Sequence, residues 1–101
     1  MEQKAIEQAR KFVREMDVIK VSKKPLFMYA KAVRWKLRNS ESVEIWAQAG
    51  MISKAIFLVH ANLLKHDTQV VGVETLLHEI EEDGRKRYLS EIHIRLKKRL
   101  K

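Results

Sequence analysis

The chain has no cysteine among its 101 residues. That excludes a disulfide framework, a zinc ribbon and a thiol nucleophile, and it fits a reducing compartment. It has one proline and three glycines, so it holds no glycine-rich phosphate loop and no linker that would divide it. No apolar run approaches the length of a membrane span, and the first residues lack the apolar core of a signal peptide. No membrane partner is expected. The four histidines, His60, His66, His78 and His93, show no metal-ligand spacing. Glu79 and Glu81 alternate beside a solvent-exposed turn, which gives no reason for a raised carboxyl pKa. The reading is therefore of a protein without catalytic residues, metal or cofactor.

Basic residues are also missing from one place. Residues 67–84 carry no Lys or Arg and 6 acidic groups, whereas residues 85–101 carry 8 basic and 1 acidic. Residues 1–24 carry 7 basic and 4 acidic groups, and residues 25–66 carry 6 and 2. The net charge is +8 and the pI near 9.9. Such a balance points to a polyanionic partner, nucleic acid first. The apolar content of 46% is that of a globular protein rather than a basic tail.

Periodicity predicts an amphipathic helix over residues 2–16, with Ile6, Ala9, Val13 and Met16 in one stripe and Phe12 beside them. Val18 to Val21 reads as a short strand. Pro25 to about Arg38 reads as a helix with Leu26, Tyr29, Ala30, Val33 and Leu37 facing inward. Proline is tolerated at a first helical position, so Lys23 and Lys24 stand at the mouth of a helix N-terminus, where the dipole favours anions. Val43, Ile45 and Ala47 alternate with Glu44 and Trp46 as a strand. Gly50 breaks the chain. A third helix follows, with Ile52, Ile56, Val59 and Leu63 as its stripe and an end near Lys65. It is apolar on more than one face, which demands cover on more than one face. Residues 69–80 and 86–98 read as long strands joined by Asp83-Gly84, a strong hairpin signal. Tyr88, Ser90, Ile92, Ile94 and Leu96 share one face of the second strand, and His93 decorates the other. Phe12, Phe27 and Phe57 fit the apolar stripes and are read as core. Trp35 and Trp46 lie off them, open to exposure and to stacking on unpaired bases.

Four segments carry a resemblance. They are Lys23-Lys24-Pro25-Leu26-Phe27-Met28-Tyr29, Val43-Glu44-Ile45 followed by Ala47, Ile52-Ser53-Lys54-Ala55, and Asp83-Gly84-Arg85 leading to Ser90-Glu91-Ile92-His93-Ile94. In this order and spacing, over roughly residues 18–98, the chain resembles the Alba family of small basic chromatin and RNA-binding proteins. The resemblance implies an α/β chain, an α+β sandwich of order β-α-β-α-β-β, with a long hairpin arm. Residues 18–101 would form this nucleic-acid-binding domain, and residues 1–17 an extra N-terminal helical extension. It further implies a homodimer, or a heterodimer with a paralogue, that binds DNA and/or RNA. Archaeal members coat DNA in the nucleoid and also bind RNA. Eukaryotic relatives include RNA-binding proteins and subunits of ribonuclease P and MRP. The setting implied is cytoplasmic and nucleoid-associated, or nuclear and cytoplasmic in a eukaryote.

Charge pattern and resemblance together select the candidate nucleic-acid contacts. Lys20, Lys23 and Lys24 lie on the body, Lys54 at the start of the third helix, and Arg85, Lys86 and Arg87 on the arm. Acetylation of Lys23 would delete one charge per subunit. Lys31 reads as a solvated surface charge, and no base-reading helix is evident.

The chain departs from the family pattern at four places. Gln48-Ala49-Gly50 stands where an arginine-glycine-arginine run is common, and the glycine is displaced by one residue. His66 stands where an aromatic that joins neighbouring dimers is expected. The hairpin tip carries Glu79, Glu81, Glu82 and Asp83, which open three readings: a solvated turn, pairing with Arg85, Lys86 and Arg87, or selection against DNA. The fourth departure is the N-terminal extension. A different class of function stays open beside nucleic-acid binding, a protein-interaction subunit of a ribonuclease P-like or MRP-like ribonucleoprotein.

Overall fold

The computed structural model describes residues 17–99; the helix expected over residues 2–16, with Phe12, lies outside the described residues. The described elements are β1 (Val18–Lys20), α1 (Leu26–Asn39), β2 (Ser42–Gln48), α2 (Ile52–Val59), α3 (Asn62–Lys65), β3 (Thr68–Glu82) and β4 (Arg85–Lys98), with a 3₁₀ turn over Ala49–Met51. The strands form one sheet in the order β1-β2-β4-β3. β1 runs parallel to β2, and β4 pairs antiparallel with both β2 and β3. This is the expected β-α-β-α-β-β sandwich, with one helix more.

Strand alternation sets the core. Val43, Ile45 and Ala47 of β2 and Ile92, Ile94 and Leu96 of β4 point to one face and are buried. They pack with Tyr29, Ala30, Val33 and Leu37 of α1 and with Ala55, Leu58 and Val59 of α2 in one cluster. The inward set expected for α1 is therefore found, with Leu26 partly buried at its edge. Pro25 sits one position earlier than expected. It is the N-cap, with extended ψ of 146°, and the helix begins at Leu26. Lys36 and Arg38 occupy the last turn, where cations favour the dipole. Beyond the helix, the Ser40 hydroxyl donates to Asp17 Oδ1 at 2.7 Å, and the Asp17 carbonyl accepts the Glu44 N–H. These bonds tie the entry of β1 to β2.

The third helix departs from expectation. It divides at His60–Ala61, where Ala61 turns to ψ 146°, and restarts as the single turn α3. An unbroken stripe through Ile56 and Leu63 is thereby lost, and both side chains are exposed. Val59 of the expected stripe is buried and Ile52 partly so, but Ala55, Leu58 and Leu64 fill the places of the other two. A helix apolar on several faces offers more than one stripe, and packing against the sheet chose the other. Phe27 and Phe57, read as core, are 54% and 71% exposed. Phe27 lies under the Lys31 ammonium, 5.4 Å from its ring centre.

The turn into α2, where Gly50 breaks the chain, carries its left-handed residue at Ala49, with φ 48°. At the hairpin, Asp83 and Gly84 take φ of 52° and 75°, as a type I′ turn requires. The long strands run past the helices, so β3 is exposed almost throughout and Tyr88, grouped with the inward set, stands uncovered. The hairpin does project as an arm. Relief of the left-handed alanine makes one expectation direct. Ala49→Gly should raise unfolding stability by about 1 kcal/mol, the steric relief exceeding the added unfolded-state entropy, as read from urea denaturation midpoints.

Candidate nucleic-acid interface

The loop from Val21 to Pro25 connects β1 to α1 and carries Lys23 and Lys24. Its backbone is fixed from within. The Val21 N–H donates to the Trp46 carbonyl at 2.8 Å, extending the β1–β2 pairing. The N–H groups of Ser22 and Lys24 both donate to the Tyr29 hydroxyl, at 2.8 and 3.3 Å. Tyr29 is one turn into α1 and buried, so its ring anchors in the core while its oxygen reaches the loop. From α2, the Lys54 ammonium donates to the carbonyls of Ser22, at 2.6 Å, and Lys24. It also lies 5.3 Å from the Tyr29 ring centre.

Two side chains thus hold both kinds of backbone group in this loop. The consequence is that Lys23 and Lys24 are exposed on a fixed strip at the start of α1. Lys20 is exposed at the end of β1. Among the described residues, no carboxylate forms an ion pair with Lys20, Lys23 or Lys24. Three cations without an ion pair among the described residues therefore lie within five residues of one another, and Lys23 and Lys24 immediately precede the N-cap of α1. Lys54 is brought to the same place, but as the clamp on the loop. Its charge still adds to the local potential.

The arm is different. Lys86 Nζ lies 3.4 Å from Glu79 Oε1, and Arg87 donates to Glu82 at 2.7 Å. Cross-strand pairing, one of the three readings of the acidic tip, is found for Glu79 and Glu82, while Glu81 and Asp83 are exposed. Pairing at such exposure contributes little to stability, but it does cancel charge. Arg85, Lys86 and Arg87 face Glu79, Glu81, Glu82 and Asp83, so the tip holds no surplus of positive charge.

The sheet face away from the helices carries a second constellation. Trp46 and His93, opposite each other in the β2–β4 register, stack with ring centres 4.0 Å apart and planes 10° from parallel. His93 Nε2 lies 2.5 Å from Glu91 Oε2, and the Gln48 amide donates to Glu91 Oε1 at 2.5 Å. His78 stands 3.6 Å away on β3. The Gln48 bond foremost, then His93, holds the Glu91 carboxyl below its ordinary value, against an opposing pull from burial. His93 is on the expected face but covered rather than free. Trp46 is half-buried, and Trp35 is exposed.

Sequence reasoning missed the Tyr29 hydroxyl, the Lys54 clamp and the Trp46–His93 stack. The polar tip on an inward aromatic was the available signal for the first. The others require register and tertiary placement. Among the described residues there is no group of three His, Asp or Glu side chains suited to a metal, and no helix long and apolar enough to cross a membrane.

Two outcomes are expected. Tyr29→Phe removes the acceptor shared by two loop N–H groups and should cost about 1–2 kcal/mol of unfolding stability, measured by denaturant titration. Glu91 has a folded pKa below its unfolded one, so it contributes stability above the ordinary carboxylate range, lost as pH falls through the lowered value. Glu91→Gln should be less stable than the parent at neutral pH, with the difference closing at acid pH in a denaturation series.

No protein-family model matches the chain, and no curated protein matches it. Solved structures do. Alba from Thermoplasma volcanium aligns with a TM-score of 0.66 at 24% identity, over 79% of this chain and 98% of that one. ALBA1 from Trypanosoma brucei aligns with a TM-score of 0.69 at 20% identity, over 82% of this chain and 69% of that one. The four-stranded sandwich with its projecting hairpin is the fold of the Alba proteins.

Proposed function

We propose that this chain binds DNA and/or RNA through their phosphate backbones, without reading base sequence, as a dimer associated with chromatin, a nucleoid or a ribonucleoprotein. The observation that carries the reading is the pair Lys23 and Lys24, without ion-pair partners among the described residues, on a loop fixed by Tyr29 and Lys54, with Lys20 at the end of the strand that leads into it. Fixing the loop lowers the ordering cost of binding. A cationic strip beside a helix N-terminus suits phosphate. The likeness in fold to Alba proteins supports the same reading. Lys54 acts here mainly as a positioning residue. Arg85, Lys86 and Arg87 form a weaker second set, because Lys86 and Arg87 are already paired. Acetylation of Lys23 would remove one exposed charge per subunit. The activity proposed is binding, with no catalytic step.

The dimer is supported by the uncovered inner face of the arm. Val73, Leu77 and Tyr88 lie on the same side as Ile92 and Ile94 but beyond the helices, and all three are exposed. A two-stranded ribbon is marginal in water by itself, and an exposed apolar face of this kind marks an interface. A second copy of the chain, or a paralogue, would cover it.

The ion-paired arm tip favours one further reading. An arm without surplus positive charge suits a protein or structured-RNA neighbour, as in a ribonuclease P-like or MRP-like particle. Light scattering of the lone chain bears on the partner, because a stable self-dimer opposes an obligate heterodimer with a paralogue.

The decisive measurement is the salt dependence of binding. If a dimer neutralises about six phosphates of duplex DNA, log K falls with log salt at a slope near −5. Lys23→Ala/Lys24→Ala removes four such cations per dimer and should flatten the slope by about 3.6. An unchanged affinity and slope would place the interface elsewhere.

A further inference from the structure

Beside the lysine strip lies a groove of about 550 Å³, within the range of about 300–1,000 Å³ typical of small-ligand sites, with Lys20, Trp46, Gln48, Met51, Leu89 and Glu91 among its walls. Ser22 also borders it, so the groove opens one residue from Lys23. Its chemistry is mixed. Trp46 supplies an aromatic surface, and Leu89 and Met51 supply apolar contact. Lys20 stands opposite Trp46 in the β1–β2 register and brings a cation to the wall.

Two features mark it as a place for a ligand. The Trp46 indole is held by its stack on His93, so its ring is ordered before anything binds. Yet its Nε1–H is buried with no hydrogen-bond partner among the described residues. A buried donor without an acceptor is costly and uncommon. An acceptor brought by an occupant would satisfy it. The Glu91 carboxylate in the same wall opposes entry of a phosphate, while its oxygens accept hydrogen bonds from Gln48 and His93 and keep lone pairs for further donors. An uncharged planar heterocycle with both donors and acceptors meets these conditions.

We propose that this groove receives an unpaired nucleobase from a single-stranded segment whose backbone lies on the Lys20–Lys24 strip. The inference rests on the phosphate-binding reading for the placement of the backbone. A duplex holds its bases stacked and paired, so it engages the lysines alone. A single strand engages the lysines and the groove. Base stacking on aromatic side chains tolerates any base, which agrees with binding that does not read sequence. The chain then prefers single-stranded or looped nucleic acid over duplex of equal charge.

Tryptophan emission tests this directly. Trp35 is exposed on α1 and would mask the signal, so the parent for the experiment is the full chain carrying Trp35→Phe. Single-stranded oligouridylate and oligothymidylate should quench the Trp46 emission saturably, and a matched duplex should not. Trp46→Leu should weaken single-strand binding by roughly tenfold with duplex affinity unchanged, and Trp46→Phe should restore most of the loss. Quenching by one oligomer alone would assign the groove to RNA or to DNA. Equal quenching by duplex and single strands, no quenching while binding occurs, or full single-strand affinity in folded Trp46→Leu would overturn the proposal. Failure of the lysine strip reads out separately, as unchanged duplex binding by Lys23→Ala/Lys24→Ala.

Discussion

The binding surface depends on one constraint, the internal satisfaction of the Ser22–Lys24 backbone. Backbone donors and acceptors must find partners when taken from water. Here the N–H groups go to the Tyr29 hydroxyl and the carbonyls to the Lys54 ammonium. Tyr29 belongs to α1 and Lys54 to α2, so the loop is held between two elements that also build the core. Its lysine side chains are left to project. A cation that binds backbone carbonyls positions its neighbours, and the potential of all four lysines then adds at the same edge.

A second constraint is the mismatch between long strands and short helices. The helical layer covers the sheet only as far as Ile92, Ile94 and Leu96 on β4. Past that point the same strand parity continues, so apolar side chains emerge on a face with nothing above them. Hydrogen bonding along β3–β4 keeps the ribbon formed, and cross-strand ion pairs arrange its tip. The result is an arm whose apolar side calls for a partner and whose tip is nearly charge-balanced. The body and the arm therefore present different chemistry, one suited to phosphate and the other to a covering chain.

The opposite face of the sheet follows from register. Lys20, Trp46, His93 and Glu74 fall in one row across β1, β2, β4 and β3. Placing an indole beside an imidazole, with a carboxylate next to them, orders all three side chains. That order turns a solvent-side face into a shaped groove next to the lysine strip.

The sequence by itself determined the strand and helix order, the inward residues of α1, β2 and β4, the hairpin at Asp83-Gly84 and the location of the exposed lysine pair. Those features are carried by local periodicity, by proline and by turn residues, all of which act over a few positions. It did not determine which stripe of the apolar third helix would be buried, that Phe27 and Phe57 would stay outside, or that Ala49 would take a left-handed conformation. Nor did it reveal that Lys54 would clamp the loop or that Trp46 would meet His93. Each of these depends on contacts between residues distant in the chain. Their partners are fixed only when helices dock on the sheet and strands settle into register, and so only the tertiary structure decided them.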